Sequence, residues 1–182
     1  MISSREQQAL YERQSAERGD LENHYRWFAP RRRLEDTVRL AAMRPAARVL
    51  EVGCGDAVLL AAIVAALPGR AARVMGLDLA RGRLTRARDR LAAHFACAAA
   101  EALPVRSDSF DLVVCAEVLE HLVDPAVALA ELARVVAPGG RLLISVPVVG
   151  WSRLIEARLT GRVRFLDEAE HRREYAAVPL PR

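Results

Sequence analysis

From Ala47 onward the chain alternates short apolar runs with longer stretches whose apolar residues recur at helical spacing. Arg48-Val49-Leu50-Glu51-Val52 reads as a strand that stops at Gly53, and Val58 to Leu67 as a helix closed by Pro68-Gly69. Arg73-Val74-Met75-Gly76-Leu77 is a second strand ending at Asp78, followed by an Arg-rich amphipathic helix from Arg81 to Ala93. Phe95 to Ala99 is a third, weaker strand. Phe110 to Cys115 is a fourth, entered through the turn Ser107-Asp108-Ser109. Asp124-Pro125 then opens a helix, with Asp as N-cap and Pro at the first helical position. That helix is predicted to run to Val136, to stop at Pro138-Gly139-Gly140, and to lead into a fifth strand from Arg141 to Val146.

This alternation predicts an α/β protein with a mostly parallel, five-stranded sheet and right-handed crossovers. The strands are apolar runs rather than alternating ones. Helices therefore cover both faces in a three-layer αβα arrangement. Residues 1–44 read as a helical N-terminal cap carrying Tyr11, Tyr25, Trp27 and Phe28. Residues 45–148 form the α/β core, and 149–182 a short helical or irregular tail in which Trp151, Leu154, Ile155 and Leu159 share a helical spacing.

Composition narrows the class. With 182 residues, 52% of them hydrophobic, the chain supports one ordinary core. The net charge of +4 comes entirely from Arg over Asp and Glu, since no Lys occurs. The charges are interspersed, and the only basic cluster is Arg31-Arg32-Arg33, so no nucleic-acid footprint is expected. No signal peptide is legible at the N-terminus, and the longest apolar stretch, Ala57 to Pro68, is too short for a bilayer. Cys54, Cys97 and Cys115 show no metal-ligand spacing and read as buried free thiols of a cytoplasmic protein.

The chemistry concentrates at strand ends. Val49-Leu50-Glu51-Val52-Gly53-Cys54-Gly55-Asp56-Ala57 is a strand, a glycine turn and a helix start. Ligands bind there in an open parallel sheet, and Gly53 and Gly55 let the backbone come close to one. A dinucleotide fingerprint would need a small residue at position 58, which is Val, and Glu51 would repel a pyrophosphate. A cationic ligand suits that carboxylate better. A nicotinamide oxidoreductase is thus the weaker reading.

Together these segments resemble a class I S-adenosylmethionine-dependent methyltransferase of the broad type-11 kind, which includes quinone-biosynthesis enzymes and has a Rossmann-like fold. Glu51-Val52-Gly53-Cys54-Gly55 resembles that family's first motif, and Asp78 its acidic residue for the ribose hydroxyls. Ala100-Glu101-Ala102-Leu103-Pro104 with Ser109-Phe110-Asp111 resembles the adenine-side loop and the start of strand four. Glu117-Val118-Leu119-Glu120-His121 resembles the motif after strand four, and Pro138-Gly139-Gly140-Arg141-Leu142-Leu143-Ile144 the turn into strand five. The likeness runs over residues 45–148. Two departures stand out within it. Ala57 replaces a third glycine, and Ala99 stands where the family often has an Asp that resembles a hydrogen-bond partner for the adenine amino group. About 35 residues follow strand five, fewer than the family's usual helix and antiparallel strand pair. A covering tail, a dimer or other partner on the strand-five edge, or a fragment are the expectations there.

The resemblance implies S-adenosyl-L-methionine as cofactor, held by Glu51, Gly53, Cys54, Gly55, Asp78, Leu79, Ala100, Glu101, Ala116 and Glu117. Methyl transfer would go to an oxygen or carbon of a small, lipid-like or aromatic molecule. His121 is the candidate base, because an imidazole titrates near neutrality. Its bland reading is a residue that orders the loop. Asp78 read blandly is a strand-end turn residue, and Cys54 a small turn residue. Glu117, Glu120 and His121 also resemble a metal site of some quinone O-methyltransferases, but no metal is assigned. His171 and the aromatics Tyr25, Trp27 and Phe28 are read first as surface and packing residues, and only second as pocket or lid. A methyltransferase-like scaffold without catalysis is the alternative function.

Overall fold

The computed structural model describes residues 8–9, 12–13, 28–122 and 124–146. Helix α1 (Phe28–Ala42) precedes β1 (Arg48–Val52), α2 (Val58–Ala66), β2 (Arg73–Asp78), α3 (Arg81–Arg90) and β3 (His94–Cys97). β4 (Phe110–Ala116), a 3-10 turn at Leu119–His121, α4 (Pro125–Val135) and β5 (Val136–Ser145) follow. The five strands form one sheet in the order β3-β2-β1-β4-β5. Every neighbouring pair is parallel. The predicted α/β fold with a parallel five-stranded sheet is therefore the observed one. The predicted helix over Trp151–Leu159, the 149–182 tail with His171, and Tyr11, Tyr25, Trp27 and the Phe28 side chain lie outside the described residues.

Side-chain alternation along the central strands sorts them between two cores. Leu50 and Val52 of β1 join Val113 and Cys115 of β4 on one face, against Ala128, Leu132 and Val135 of α4. Val49 joins Leu112 and Val114 on the other, against Leu59, Leu60 and Ile63 of α2, Ala41 of α1 and Ala87 of α3. Helices thus pack on both faces, and apart from Arg48, Glu51 and Asp111 the residues of β1 and β4 are apolar. Glu51 shares the α2 face with Val49 by the same alternation, and this brings a carboxylate into the core.

Three boundaries differ from the sequence expectation. α3 ends at Arg90, where Leu91 takes an extended conformation and its N–H closes on the Ala87 carbonyl. β3 accordingly starts earlier, at His94, and ends at Cys97. β5 begins at Val136, directly after the helix, and the predicted stop at Pro138-Gly139-Gly140 lies inside it. Val136 pairs with Phe110 and Arg141 with Leu112, so the intervening residues bulge out of the ladder. Gly139 is left-handed with φ of 74°, and a Cβ on Gly140 would come within 2.8 Å of the Ala137 carbonyl oxygen. The glycines thus turn a strand rather than end a helix.

Two charge clusters fasten the ends. At the amino end of the sheet, Asp111 Oδ2 accepts from the Ala47 and Arg48 N–H groups at 3.1 and 2.8 Å, and Arg48 Nη2 donates to Oδ1 at 2.6 Å. Near α4, Glu131 accepts from the Leu103 N–H at 2.9 Å and pairs with Arg134 at 2.6 Å. Arg134 in turn donates to the Leu103 and Val105 carbonyls. The loop carrying Ala100 and Glu101 is thereby tied to α4.

The Arg134 hydrogen bond, helped by the Leu103 N–H, lowers the Glu131 pKa from 4.5 to about 2. A depressed carboxyl stabilises the fold fully above pH 4.5 and loses that contribution as pH falls towards 2. Urea unfolding of wild type and Glu131→Gln across pH 6 to 2 should show a wild-type advantage at pH 6 that vanishes by the acid end.

Candidate functional site

The chain winds outward from β1 to β3 and returns to β4 on the other side of β1. The order of strands therefore reverses between β1 and β4. A crevice opens at such a reversal, outside the carboxyl ends of the strands.

The glycine turn after β1 is fixed by β2. The Gly53 and Cys54 N–H groups donate to the Leu77 carbonyl at 2.7 and 3.0 Å. The Gly55 N–H donates to Asp78 Oδ2 at 2.8 Å, while the other oxygen of that carboxylate accepts from the Ala80 N–H at 2.8 Å. Gly53, Gly55 and Ala57 all have positive φ, of 76°, 52° and 59°. At Gly53 a Cβ would also overlap the Val118 side chain. Glycine is required there by backbone and neighbour together.

Buried charge surrounds this turn. Glu51 is 3% exposed, and its Oε2 has no hydrogen-bond partner among the described residues. Burial drives its pKa well above the ordinary carboxyl range, and the nearby Asp78 adds to the effect. Asp78 is also raised by burial, against the pull of the Ala80 and Gly55 N–H groups and of Arg83. Asp56, fully buried, pairs with Arg86 at 3.0 Å, and its carbonyl accepts from Arg90 at 2.9 Å. Two arginines one helical turn apart on α3 therefore clamp the turn. Sequence reasoning missed this role. The available signal was the i, i+4 spacing of Arg86 and Arg90 behind a loop that carries an aspartate.

The segment after β4 forms the opposite wall. Glu117 is left-handed with φ of 56°, a conformation uncommon for a residue with a side chain. Its N–H donates to the Ser145 carbonyl at 2.9 Å, and its Oε1 accepts from Ser145 Oγ at 3.0 Å. Its Oε2 meets Arg33 of α1 at 3.2 Å. Glu120 is 1% exposed, and neither of its oxygens has a hydrogen-bond partner among the described residues. Burial, with repulsion from Glu117, raises its pKa to about 7 against the attraction of Arg33. His121 Nε2 stands 3.9 Å from Glu120 Oε1.

Glu51, Gly53, Cys54, Gly55, Asp78 and Leu79 thus come together at two adjoining strand ends. Ala100 and Glu101 follow β3, whose exit is joined to β2 by the Ala98 N–H on the Asp78 carbonyl at 3.1 Å. Ala116 ends β4, and Glu117 and His121 follow it. Among the described residues no group of three His, Cys, Asp or Glu side chains assembles a metal-binding cluster. The Glu117 carboxylate is engaged by Ser145 and Arg33. All three cysteines are free, with Cys54 and Cys115 buried and Cys97 only half-buried. No helix among the described residues is long and apolar enough to cross a membrane.

The family model described as a methyltransferase domain matches residues 50–144, which span β1 to β5. The chain belongs to this methyltransferase domain family. It is 33% identical over 151 residues to the ubiquinone biosynthesis O-methyltransferase of Ralstonia nicotianae, covering 72% of this chain and 62% of that protein. Among solved structures, the YcgJ protein of Bacillus subtilis superposes with a TM-score of 0.62 at 24% identity, covering 80% of this chain and 62% of that one. An amino pentose methyltransferase from Micromonospora echinaspora, solved with S-adenosylmethionine bound, gives a TM-score of 0.56 at 27% identity, covering 68% of this chain and 53% of that one. The likeness confirms the Rossmann-like three-layer fold. This methyltransferase domain spans about half the length of other curated relatives, 47% and 43% in two cases.

Position 57 separates strain from packing. Ala57→Gly relieves a left-handed alanine by about 1 kcal/mol but removes a buried methyl worth about 0.8 kcal/mol. Its urea stability should stay within about 0.5 kcal/mol of wild type. Gly53→Ala meets both positive φ and Val118, and should lose about 2 kcal/mol or more in the same measurement.

Proposed function

We propose that this methyltransferase domain binds S-adenosyl-L-methionine and moves its methyl group to an oxygen or carbon of a small molecule. The observation that carries the reading is the pair of carboxyls at adjoining strand ends, buried Glu51 and half-buried Asp78, with Glu51 Oε2 unpartnered among the described residues. A buried acceptor without a donor is unfavourable unless a ligand supplies one. An amino-acid ammonium and two ribose hydroxyls are the donors such a pair suits, and a pyrophosphate is not. The residues therefore fit the cofactor.

In this proposal Gly53, Cys54 and Gly55 bring backbone against the cofactor, and Asp78 accepts from the ribose hydroxyls while still bracing Gly55. Leu79 and Ala100 give apolar contact to the adenine, with Glu101 at its edge. Ala116 and Glu117 line the side towards the acceptor. Bound there, the cofactor supplies an electrophilic methyl group on a sulfonium. The protein's own work is alignment and exclusion of water. His121 accepts the proton of an acceptor hydroxyl at an imidazole nitrogen as the oxygen attacks. Residues 45–148 are the cofactor-binding core, 1–44 its cap and 149–182 its tail. The site of action is the cytoplasm, and the acceptor is a lipid-like or aromatic small molecule. Ile144, 41% exposed on β5, marks the edge on which a second copy or another partner would pack.

Calorimetric titration tests this directly. S-adenosylmethionine and S-adenosylhomocysteine should both bind, about tenfold or more weakly to Asp78→Ala, while NADH should not bind. Binding of NADH in place of both would overturn the assignment. Once an acceptor is identified, His121→Ala should lower kcat by about a hundredfold with little change in cofactor affinity. Equal losses in cofactor binding and kcat would make His121 a loop residue.

A further inference from the structure

Helix α3 begins without a cap of its own. Its N-cap is Ala80, no side chain caps it there, and its first turn holds no acidic residue. Yet its first amides are paired. The Arg81 N–H donates to Glu12 Oε1 at 2.7 Å and the Gly82 N–H to Glu12 Oε2 at 3.2 Å. The cap therefore arrives from about seventy residues away, and a carboxylate occupies the positive end of the helix.

A second contact comes from a residue four positions earlier in the chain. Gln8 Nε2 donates to Cys97 Sγ at 3.6 Å, and Cys97 Sγ donates to the Leu79 carbonyl at 3.3 Å. Gln8 and Glu12 both contact the segment from Leu79 to Gly82, Gln8 by way of Cys97. Together they bracket Leu79, one through the thiol on its carbonyl and the other through the helix that starts two residues later.

This is the side of the crevice at which the adenosine end lies in the proposed function, and the inference rests on that reading. Adenine presents an exocyclic amino donor. Beyond Cys97 the exit of β3 is Ala98-Ala99-Ala100, three residues with no side-chain acceptor. A glutamine amide carries a carbonyl oxygen beside its NH₂ group. Gln8 brings that oxygen to the end of the same strand. A carboxylate already seated on α3 also disfavours a cofactor that would place a phosphate there.

We propose that Gln8 accepts the hydrogen bond of the adenine amino group in place of a side chain at position 99, and that Glu12, by capping α3, is the positioning residue for Asp78 and Leu79. Specificity for the adenine base then comes from the N-terminal segment rather than from the sheet.

The test uses the full 182-residue chain and two ligands, S-adenosylhomocysteine and S-inosylhomocysteine, whose base carries a carbonyl in place of the amino group. Wild type should prefer the adenosyl ligand. Gln8→Ala should weaken that ligand about fivefold and leave the inosyl ligand unchanged, so the preference collapses. Ala99→Asp in the Gln8→Ala background should restore it. Glu12→Ala should weaken both ligands alike. In the ligand-free protein it should also speed hydrogen exchange at Arg81 and Gly82, with Glu12→Gln intermediate. Gln8→Ala weakening both ligands equally or neither, or Glu101→Ala collapsing the preference instead, overturns the role of Gln8. Unchanged exchange at Arg81 and Gly82 overturns that of Glu12. If wild type binds neither ligand, the cofactor reading falls and this inference with it. If wild type binds and only the variant pattern fails, the cofactor reading stands without it.

Discussion

The Asp78 carboxylate joins the loops that follow two neighbouring strands. One oxygen takes the Gly55 N–H from the turn after β1, and the other takes the Ala80 N–H from the turn after β2. Each of these amides would otherwise be left unpaired near the start of a helix. Because one rigid group satisfies both, α2 and α3 are fixed relative to each other at the ends from which a ligand is approached. Asp56, held by Arg86 and Arg90, adds a second tie between the same two helices. The crevice is thus built before any ligand arrives, which lowers the ordering that binding requires.

This arrangement runs against the rest of the interior. Glu51, Asp78 and Glu120 are carboxyls held where burial favours their neutral forms. The unstrained choice at each place would be apolar. Two unbroken cores, one on each face of β1 and β4, leave stability in reserve for such departures. The left-handed backbone at Ala57 and Glu117 belongs to the same group, since Ala57 closes the turn from β1 into α2 and Glu117 directly follows β4.

Most of the architecture was legible because it is written locally. Apolar runs gave β1, β2 and β4 within a residue, and Asp124-Pro125 marked the start of α4, where the aspartate accepts from the Ala126 N–H at 3.0 Å. The glycine turn, Asp78 and the segment after β4 were legible as a site for the same reason. What could not be read depends on partners distant in the chain. β5 starts at Val136 because Phe110 offers it a ladder position, and no local signal separates that from a loop. Arg33 meets Glu117, and Arg86 meets Asp56, only after the sheet has brought their elements together. Glu12, within a polar N-terminal stretch, looks like any solvated glutamate until α3 is seen to lack a cap.

The Arg48–Asp111 pair has a consequence for how the fold is reached. Its two residues stand at the starts of two neighbouring strands, Arg48 as the first residue of β1 and Asp111 as the second of β4, 63 positions apart in the chain. Zipping these strands closes a loop containing α2, β2, α3 and β3, and the entropy of that closure is lost before the central ladder returns any enthalpy. The β1–β2 and β2–β3 pairings span far shorter loops and are the economical beginning. Asp111, by taking both the backbone and the side chain of Arg48, fastens the long loop at its mouth. Pairing β1 with β4 therefore costs more loop-closure entropy than pairing β1 with β2 or β2 with β3.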